Sequence, residues 1–212
     1  MEPSSRKALI LLCAGAAAYL LLQQSLEPED MNDAPDYVPP DLLDEATALW
    51  DDITDFSGGA MTPWEQQNVQ AFLRTIRVAE GTAGGNGYSM LFGGDTFTGF
   101  ADHPRVLVTR TSNGTPITSS AAGAYQILRR TWDGVRVKLG LPDFSPASQD
   151  RAAVELIRQR GALADVRAGR FADAINKCRK EWASLPGAGY GQPEKNVGDL
   201  FTAYINAGGN VA

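Results

Sequence analysis

Residues 62–81, TPWEQQNVQAFLRTIRVAEG, decide the fold of this chain. Thr62 can cap a helix, Pro63 suits the first helical position, and Glu65, three residues after Thr62, completes a capping box. Gly81 is typical of the residue just beyond a helix C-terminus. The spacing therefore predicts a well-defined helix that begins after Thr62 and ends on Glu80.

One acidic side chain of this helix is predicted to face inward. Glu80 falls at i+11 on the face defined by four apolar residues, which are Val69, Phe72, Leu73 and Ile76. Burial and the negative end of the helix dipole both disfavour an ionised acid there, so we expect a raised pKa. A neutral carboxyl of this kind suits a general acid. The alternative is an ordinary glutamate turned to solvent at a frayed helix end.

Charge divides the chain into two unlike parts. Residues 1–60 contain 12 acidic and 2 basic residues, whereas residues 61–212 contain 13 and 17. The basic part suits a polyanionic partner, either bacterial cell wall or nucleic acid. It has no basic run interleaved with aromatic residues, so nucleic acid is not expected. His103 is the only histidine, which excludes a multi-histidine zinc site, and we expect neither a metal nor a cofactor.

Residues 1–26 are predicted to be a signal anchor that forms a transmembrane helix. Arg6 and Lys7 precede nineteen uncharged residues, 8–26, which as a helix would measure about 28 Å, close to the thickness of a bilayer's hydrocarbon core. Bases before the span and acids after it predict a cytoplasmic N-terminus and an outward-facing remainder. A cleaved signal peptide is the alternative, because residues 16–18 contain an A-x-A pattern. The apolar run continues beyond that pattern, which favours the anchor.

Residues 27–61 connect this segment to the rest of the chain. Residues 27–40, EPEDMNDAPDYVPP, have no helical or strand period and indicate an extended acidic linker. Residues 41–56 are predicted to form an amphipathic helix that must dock on something. We expect packing on the following domain, with a partner protein or the membrane surface as alternatives. The apolar positions are Leu42, Leu43, Ala46, Leu49, Trp50, Ile53 and Phe56.

Beyond Gly81 the pattern predicts a small β-lobe and then helices, an α+β class. Residues 88–92 and 96–100 are predicted to be strands of a hairpin around Gly93-Gly94-Asp95. A further edge is expected at 106–108 and a polar loop at 109–120. Helices are expected at 125–139, 148–160, 171–184 and 194–206.

Seven segments carry a family resemblance. In chain order between residues 69 and 209 they are EGTAGGNGY, GGDTFT, DHPR, GAYQIL, LGLPDFSPASQD, RGAL and WASLPGAGYGQ. Together they resemble the lambda bacteriophage endolysin family of lytic transglycosylases, which belong to the lysozyme superfamily. The resemblance implies a lysozyme-like catalytic domain at 62–212, mainly helical with a small β-hairpin lobe. The first 60 residues fall outside it.

The resemblance also implies a reaction. Members of the family cleave peptidoglycan glycan strands between N-acetylmuramic acid and N-acetylglucosamine, and their single catalytic acid matches Glu80. That acid would protonate the glycosidic oxygen and then take the proton of the muramic 6-hydroxyl, leaving a 1,6-anhydro end without consuming water. The family's Ser-Glu-Gly-Thr motif departs here at Ala79, so the support of the acid should change slightly. The glycine loop after Thr82 is also shorter, which could alter one wall of the cleft.

Saccharide contacts are expected at two turns. Tyr125 and Gln126 follow Gly123 in a Gly-x-Tyr-Gln turn, which lines the cleft of lysozyme-like proteins. Tyr190 and Gln192 lie in the glycine-rich loop after Pro186 and are placed to meet the polymer. Each of these side chains also has an ordinary structural interpretation.

Two rival functions remain open on the sequence. A hydrolytic muramidase would need a second carboxylate beside Glu80, for which Asp95 and Asp102 are the candidates. Asp95 is also a typical turn residue, and Asp102 can equally brace its loop. The other rival is a non-catalytic wall-binding or virion assembly protein with a lysozyme-like shape.

The expected location follows from the anchor and the substrate. We expect a bacterial inner-membrane protein whose monomeric catalytic domain faces the periplasm, bound to the membrane through residues 8–26 and acting on peptidoglycan glycan strands. A weak span could also leave the membrane and release the enzyme, and a virion-associated form is the further alternative.

Overall fold

The computed structural model describes residues 61–112, 115–189 and 194–212. The predicted anchor, the acidic linker and the predicted helix at 41–56 lie outside these residues. No helix in the described ranges is both long and apolar enough to cross a membrane. The helices are α1 Pro63–Glu80, a short 3-10 helix Gly87–Ser89, α2 Arg129–Leu139, α3 Pro146–Gln159, α4 Leu163–Arg167, α5 Phe171–Cys178 and α6 Val197–Asn206. The strands are β1 Val108–Ser112 and β2 Thr115–Ser119, paired antiparallel.

Helix α1 has both of the ends that its sequence predicts. The Thr62 N–H donates to Glu65 Oε2 over 2.8 Å, and the Glu65 N–H donates to Thr62 Oγ1 over 3.3 Å, which completes the capping box. Gly81 adopts φ 73° and donates its N–H to the carbonyls of Arg77 and Val78. The predicted bounds of α1 are therefore confirmed.

The core surrounds α1, which packs against α3, α4 and α6. Its predicted apolar face is at most 5% exposed, a set comprising Val69, Phe72, Leu73 and Ile76. The Phe72 ring meets the edge of Phe171 of α5, with centroids 6.3 Å apart. A second aromatic contact joins Trp132 of α2 to Phe144, with centroids 4.7 Å apart. The lobe between α1 and α2 covers the end of α1 that carries Glu80.

The prediction of a mainly helical domain with a small hairpin is confirmed, but the predicted position of the hairpin is wrong. At residues 88–100 the chain forms the 3-10 helix and a single antiparallel bridge between Met90 and Thr96. Gly93 and Gly94, at φ 85° and 98°, turn the chain so tightly that no ladder extends from that bridge.

The two strands instead occupy the segment that the sequence suggested was a polar loop. Val108 pairs with Ser119 and Arg110 with Ile117 in a regular antiparallel register. The sequence between the strands is Asn113-Gly114, the strongest short signal for a hairpin. Its threonine-rich flanks also favour strands, because β-branched residues suit an extended backbone. The prediction of a loop relied on the polarity of this segment and was therefore wrong.

Helix α2 begins four residues later than predicted. Gly123 has φ 77° and Gln126 has φ 47°, and neither conformation can continue a right-handed helix. Leu128 is extended, so the helix starts at Arg129. The Gly-x-Tyr-Gln segment is consequently a tight turn rather than the first turn of the helix.

Two of the later helices are shorter than predicted, and one was missed. Helix α5 ends at Cys178 rather than at residue 184, and α6 begins at Val197 rather than at residue 194. The Cys178 carbonyl accepts hydrogen bonds from the N–H groups of Glu181 and Trp182. These bonds turn the chain, and the Trp182 side chain is buried. Helix α4, only five residues long, was not predicted. Burial of Trp182 has therefore overridden the helical pattern.

Gly123→Ala is expected to destabilise the domain strongly. A Cβ atom there would lie 2.2 Å from Oε1 of the buried Gln149, and the backbone has φ 77°. Left-handed strain costs about 1–2 kcal/mol, and overpacking adds about 1–3 kcal/mol. The free energy of unfolding, measured with urea, should therefore fall by about 3 kcal/mol. The matched control is Gly140→Ala, at φ 62° with nothing within 4 Å of the added Cβ. Equal losses in the two variants would show that the contact with Gln149 is not limiting.

Candidate active site

Glu80 occupies the last position of α1, on the inward face, and is partly buried. Its Oε1 accepts a hydrogen bond of 2.6 Å from the hydroxyl of Ser184. Burial raises the pKa of Glu80, while the Ser184 hydroxyl acts in the opposite direction because it stabilises the charged form. The net pKa is above the ordinary value, as the sequence predicts.

Three segments meet around this carboxyl. The buried Thr82 hydroxyl donates to the Ala124 carbonyl, which ties the end of α1 to the Gly-x-Tyr-Gln turn. Trp182 Nε1 donates over 3.0 Å to the Tyr125 carbonyl, which ties the loop after α5 to the same turn. Ser184 is two residues beyond Trp182. The position of its hydroxyl on Glu80 is therefore set by a buried indole anchor.

The β-lobe is held against these segments by backbone contacts. At Gly87 an added Cβ would lie 1.8 Å from the Thr82 carbonyl oxygen, so only glycine allows this approach. The Gly123 N–H donates to the Met90 carbonyl over 2.8 Å. Gln126, a predicted saccharide ligand, is partly buried, and its Nε2 donates to the Gly123 carbonyl over 3.1 Å and to that of Met90 over 3.4 Å. In this arrangement Gln126 braces the turn.

Tyr125, the other predicted ligand in this turn, is only 1% exposed. Its ring is therefore buried in this structure. The Tyr125 hydroxyl donates to Asp150 Oδ1 over 2.5 Å, and the Tyr88 hydroxyl donates to the same carboxyl over 2.9 Å. The guanidinium of Arg77 lies 4.5 Å from the centroid of the Tyr88 ring. Tyr125 thus belongs to a polar cluster beneath the site.

Asp150 is the charged centre of that cluster, and the sequence reasoning missed it. Desolvation raises its pKa to about 6, although the Tyr125 hydroxyl, the Arg77 charge and the Tyr88 hydroxyl each oppose the increase. The sequence contains one indication of a role for Asp150, which is that it lies in LGLPDFSPASQD, one of the segments that carry the family resemblance. Ser184 was missed in the same way, inside the segment WASLPGAGYGQ.

Asp102 is a structural brace. Its Oδ1 accepts from Trp132 Nε1 over 2.9 Å and from Arg136 over 3.0 Å, and its Oδ2 accepts from Arg105 over 3.0 Å. Desolvation would raise its pKa, but these donors and the His103 backbone N–H lower it to about 2. The charged form is the one that a nucleophile or base needs, but both Asp102 oxygens are already hydrogen-bonded.

Asp95, the other candidate for a second carboxylate, lies at the surface. Its side chain is 70% exposed, and its Oδ2 accepts from Arg110 over 2.6 Å. The bond joins the Gly93-Gly94 turn to β1. Asp95 is therefore placed as the turn residue that its sequence context suggested.

Tyr190 and Gln192 lie outside the described residues. The chain on either side of them is held by Glu194, whose carboxylate accepts the Gly187 and Gly189 N–H groups over 2.7 and 2.8 Å. These backbone donors, that of Gly189 first, lower the pKa of Glu194. The glycine-rich loop is thus closed by a carboxylate that the sequence reasoning did not single out.

His103 has a structural position. It is 2% exposed, its Nδ1 accepts the Arg105 N–H over 3.0 Å, and its Nε2 therefore carries the proton donated to the Ile127 carbonyl over 2.9 Å. Burial lowers its pKa, so it is neutral at physiological pH. Within the described ranges, no group of three or more histidine, cysteine, aspartate or glutamate side chains could hold a metal ion.

Comparisons with known proteins identify the family of the chain. The family described as Endolysin matches residues 70–211. The endolysin of Escherichia phage P2 is 46% identical over 155 residues, which cover 68% of this chain and 94% of the P2 protein. The endolysin of Escherichia phage lambda is 45% identical over 148 residues, or 67% and 92% of the two chains.

Solved structures extend the similarity to the fold. The structure of bacteriophage lambda lysozyme complexed with a chitohexasaccharide is similar with a TM-score of 0.65 and 43% identity, covering 69% of this chain and 97% of that one. A second structure of lysozyme from bacteriophage lambda has a TM-score of 0.61, 42% identity and the same coverage. These matches confirm the lysozyme-like fold and the predicted family. The chain belongs to the endolysin family and is a lysozyme-type, peptidoglycan-degrading enzyme.

Proposed function

We propose that the chain is a lytic transglycosylase that cleaves the bond between N-acetylmuramic acid and N-acetylglucosamine with Glu80 as its single acid and base. The observation that supports this proposal is the difference between the hydrogen-bond partners of Glu80 and those of the two aspartates. Glu80 is partly buried against a neutral hydroxyl, whereas Asp95 and Asp102 are each held by arginine. A hydrolase of the two-carboxylate type needs a second carboxylate that can attack the sugar or activate water, and both candidates are instead paired with arginine.

The surroundings of Glu80 suit both halves of the proposed reaction. Burial favours the neutral carboxyl, which can protonate the leaving glycosidic oxygen. The Ser184 hydroxyl then stabilises the carboxylate left behind, because a hydrogen bond to the charged form favours it. That carboxylate takes the proton of the muramic 6-hydroxyl as the oxygen closes on C1. Glu80 is protonated again, and the product ends in a 1,6-anhydro ring.

We propose that the chain binds a glycan strand as its substrate, because the related lambda lysozyme was solved in complex with a chitohexasaccharide. Gln126, Tyr190 and Gln192 remain the proposed saccharide ligands from the sequence. The buried Tyr125 supports the turn from below, through its hydroxyl on Asp150.

The cellular setting remains a proposal from the N-terminal sequence. Residues 8–26 would anchor the chain in the bacterial inner membrane, with residues 62–212 as a monomeric catalytic domain in the periplasm. Release of a weak span from the membrane would free the enzyme. Separation of membrane and soluble fractions, before and after depolarisation, would reveal whether release occurs.

The products of wall digestion test the reaction type. Purified peptidoglycan digested by the full chain should yield muropeptides that end in 1,6-anhydro-N-acetylmuramic acid, because the proposed reaction consumes no water. Each such product is 18 Da lighter than its hydrolytic counterpart, which mass spectrometry resolves. Reducing ends without anhydro products would instead establish a hydrolytic muramidase.

Glu80→Gln should remove most of the lytic activity. The amide keeps the shape of the side chain but cannot donate the proton, and general acid catalysis contributes about 10²–10⁴-fold. The decrease in turbidity of a wall suspension measures the rate. Asp95→Asn is the matched control and should retain activity within about twofold, since Asp95 pairs at the surface with Arg110. Full activity in Glu80→Gln would refute the catalytic assignment, and inactivity of the unaltered chain would favour a wall-binding role.

Ser184→Ala should shift the pH profile of lysis. Loss of the hydroxyl leaves burial unopposed, so the pKa of Glu80 rises further. The protonated acid then persists to higher pH, and the alkaline limb of kcat/KM moves upward. One lost hydrogen bond is worth about 0.5–1.5 kcal/mol, so kcat should fall by about 2- to 10-fold. Ser184→Thr keeps a hydroxyl and should restore the original profile. An unmoved alkaline limb in Ser184→Ala would show that Ser184 does not tune the acid.

A further inference from the structure

An apolar groove lies on a part of the domain that the active site does not use. Its volume is about 480 Å³, and it is formed by the start of α5, by α6 and by the last residues of the chain. Arg170 and Asp173 are the charged residues that line it. The large apolar residues that line it are Phe171, Val197, Phe201 and Val211.

Helix α6 has one broad apolar face, of which only one edge is buried. Leu200 and Tyr204 face the core and are at most 1% exposed. Val197, Phe201 and Ile205, at i, i+4 and i+8, form the adjoining edge of the same face, an apolar stripe that is 51%, 38% and 42% exposed. A helix on the surface of a soluble domain normally presents polar residues there. A contiguous apolar stripe beside a groove indicates a surface that is covered in the working protein.

The described chain begins beside this groove. In the first turns of α1, Glu65 pairs with Arg167 over 2.9 Å, and Asn68 Oδ1 accepts the Asn210 N–H over 2.7 Å. The groove starts two residues after Arg167, at Gly169, and includes the two residues that follow Asn210. Any segment that precedes residue 61 therefore enters the domain at this surface.

We propose that residues 41–56 of the same chain dock in this groove as an amphipathic helix. Its apolar residues, spaced three and four apart, would cover the exposed stripe of α6, and its six acidic and no basic side chains would remain in water. From residue 56 to residue 61 the chain can span about 17 Å. The docked helix must therefore end close to the start of α1, which is where the groove lies.

The short connection favours this occupant over a second copy of the chain. A flexible link of a few residues holds a segment near its site at an effective concentration in the millimolar range. A neighbouring molecule at micromolar concentration would need a much higher intrinsic affinity to compete. A helix docked in this groove would also lie far from Glu80. The first turn of α1 is beside the groove, and the 18 residues of α1 separate that turn from Glu80 by about 26 Å. The N-terminal segment would thus join the catalytic domain at the end opposite to the cleft.

Cross-linking in the full chain tests the docking. In a Cys13→Ser background, Leu49→Cys is combined with Val197→Cys, at an exposed residue that lines the groove, and the protein is reconstituted in lipid vesicles. A short bismaleimide should give an intrachain cross-link at least about 10-fold faster than in the control. The control combines Leu49→Cys with Val137→Cys, an 84% exposed residue of α2 that does not line the groove. Equal rates in the two pairs, or a cross-link between chains in place of the intrachain product, would overturn the proposal.

Hydrogen exchange gives a second measurement that does not depend on introduced cysteines. Amides in residues 41–56 should be protected in the unaltered full chain, and Phe201→Asp should speed their exchange at least about 10-fold. Val137→Asp, the matched control, should leave it unchanged. Retained lysis by both variants would verify that the domain is folded. Protection that persists in Phe201→Asp would mean that the segment is covered by something else, such as the membrane surface, and would refute the docking.

Discussion

The position of Glu80 depends on where α1 stops. Gly81 adopts a left-handed conformation that a residue with a side chain reaches only at a cost, and the next residue, Thr82, turns inward to bind the Ala124 carbonyl. A helix continued by one further turn would remove that bond and displace the lobe packed on Thr82 through Gly87. The carboxyl is therefore placed by a backbone constraint, and the surrounding segments assemble on it.

The environment of each acid, rather than its place in the chain, decides what it can do. Glu80 is desolvated beside a neutral hydroxyl, and its pKa is raised. Asp102 faces two arginines and an indole N–H, and despite desolvation its pKa is lowered to about 2. Asp150 accepts from two tyrosine hydroxyls, and desolvation raises its pKa to about 6. The arrangement at Glu80, in which one neutral donor opposes desolvation, suits an acid that later acts as a base.

Features set by local sequence were predictable, whereas features set by distant contacts were not. The capping box at Thr62, the stop at Gly81 and the inward direction of Glu80 follow from spacing within α1. The bond from Ser184 to Glu80 joins residues 104 positions apart, and no local pattern encodes it. The burial of Tyr125 likewise depends on Asp150, 25 residues away. The hairpin was locally encoded by Asn-Gly and threonines, but the glycine turn before it gave a competing signal.

Ala79, the residue before Glu80, leaves the support of the acid to other segments. Ala79 is 4% exposed and packs in the hydrophobic core, so a hydroxyl there would need a buried partner. Support for the acid comes instead from Ser184, whose position is held by the Trp182 indole bonded to the backbone of the Gly-x-Tyr-Gln turn. Since the hydroxyl on Glu80 comes from a different segment, an apolar residue at 79 leaves the hydrogen bond to the acid intact. The motif can therefore vary at the residue before Glu80 as long as the loop that carries Ser184 remains in place.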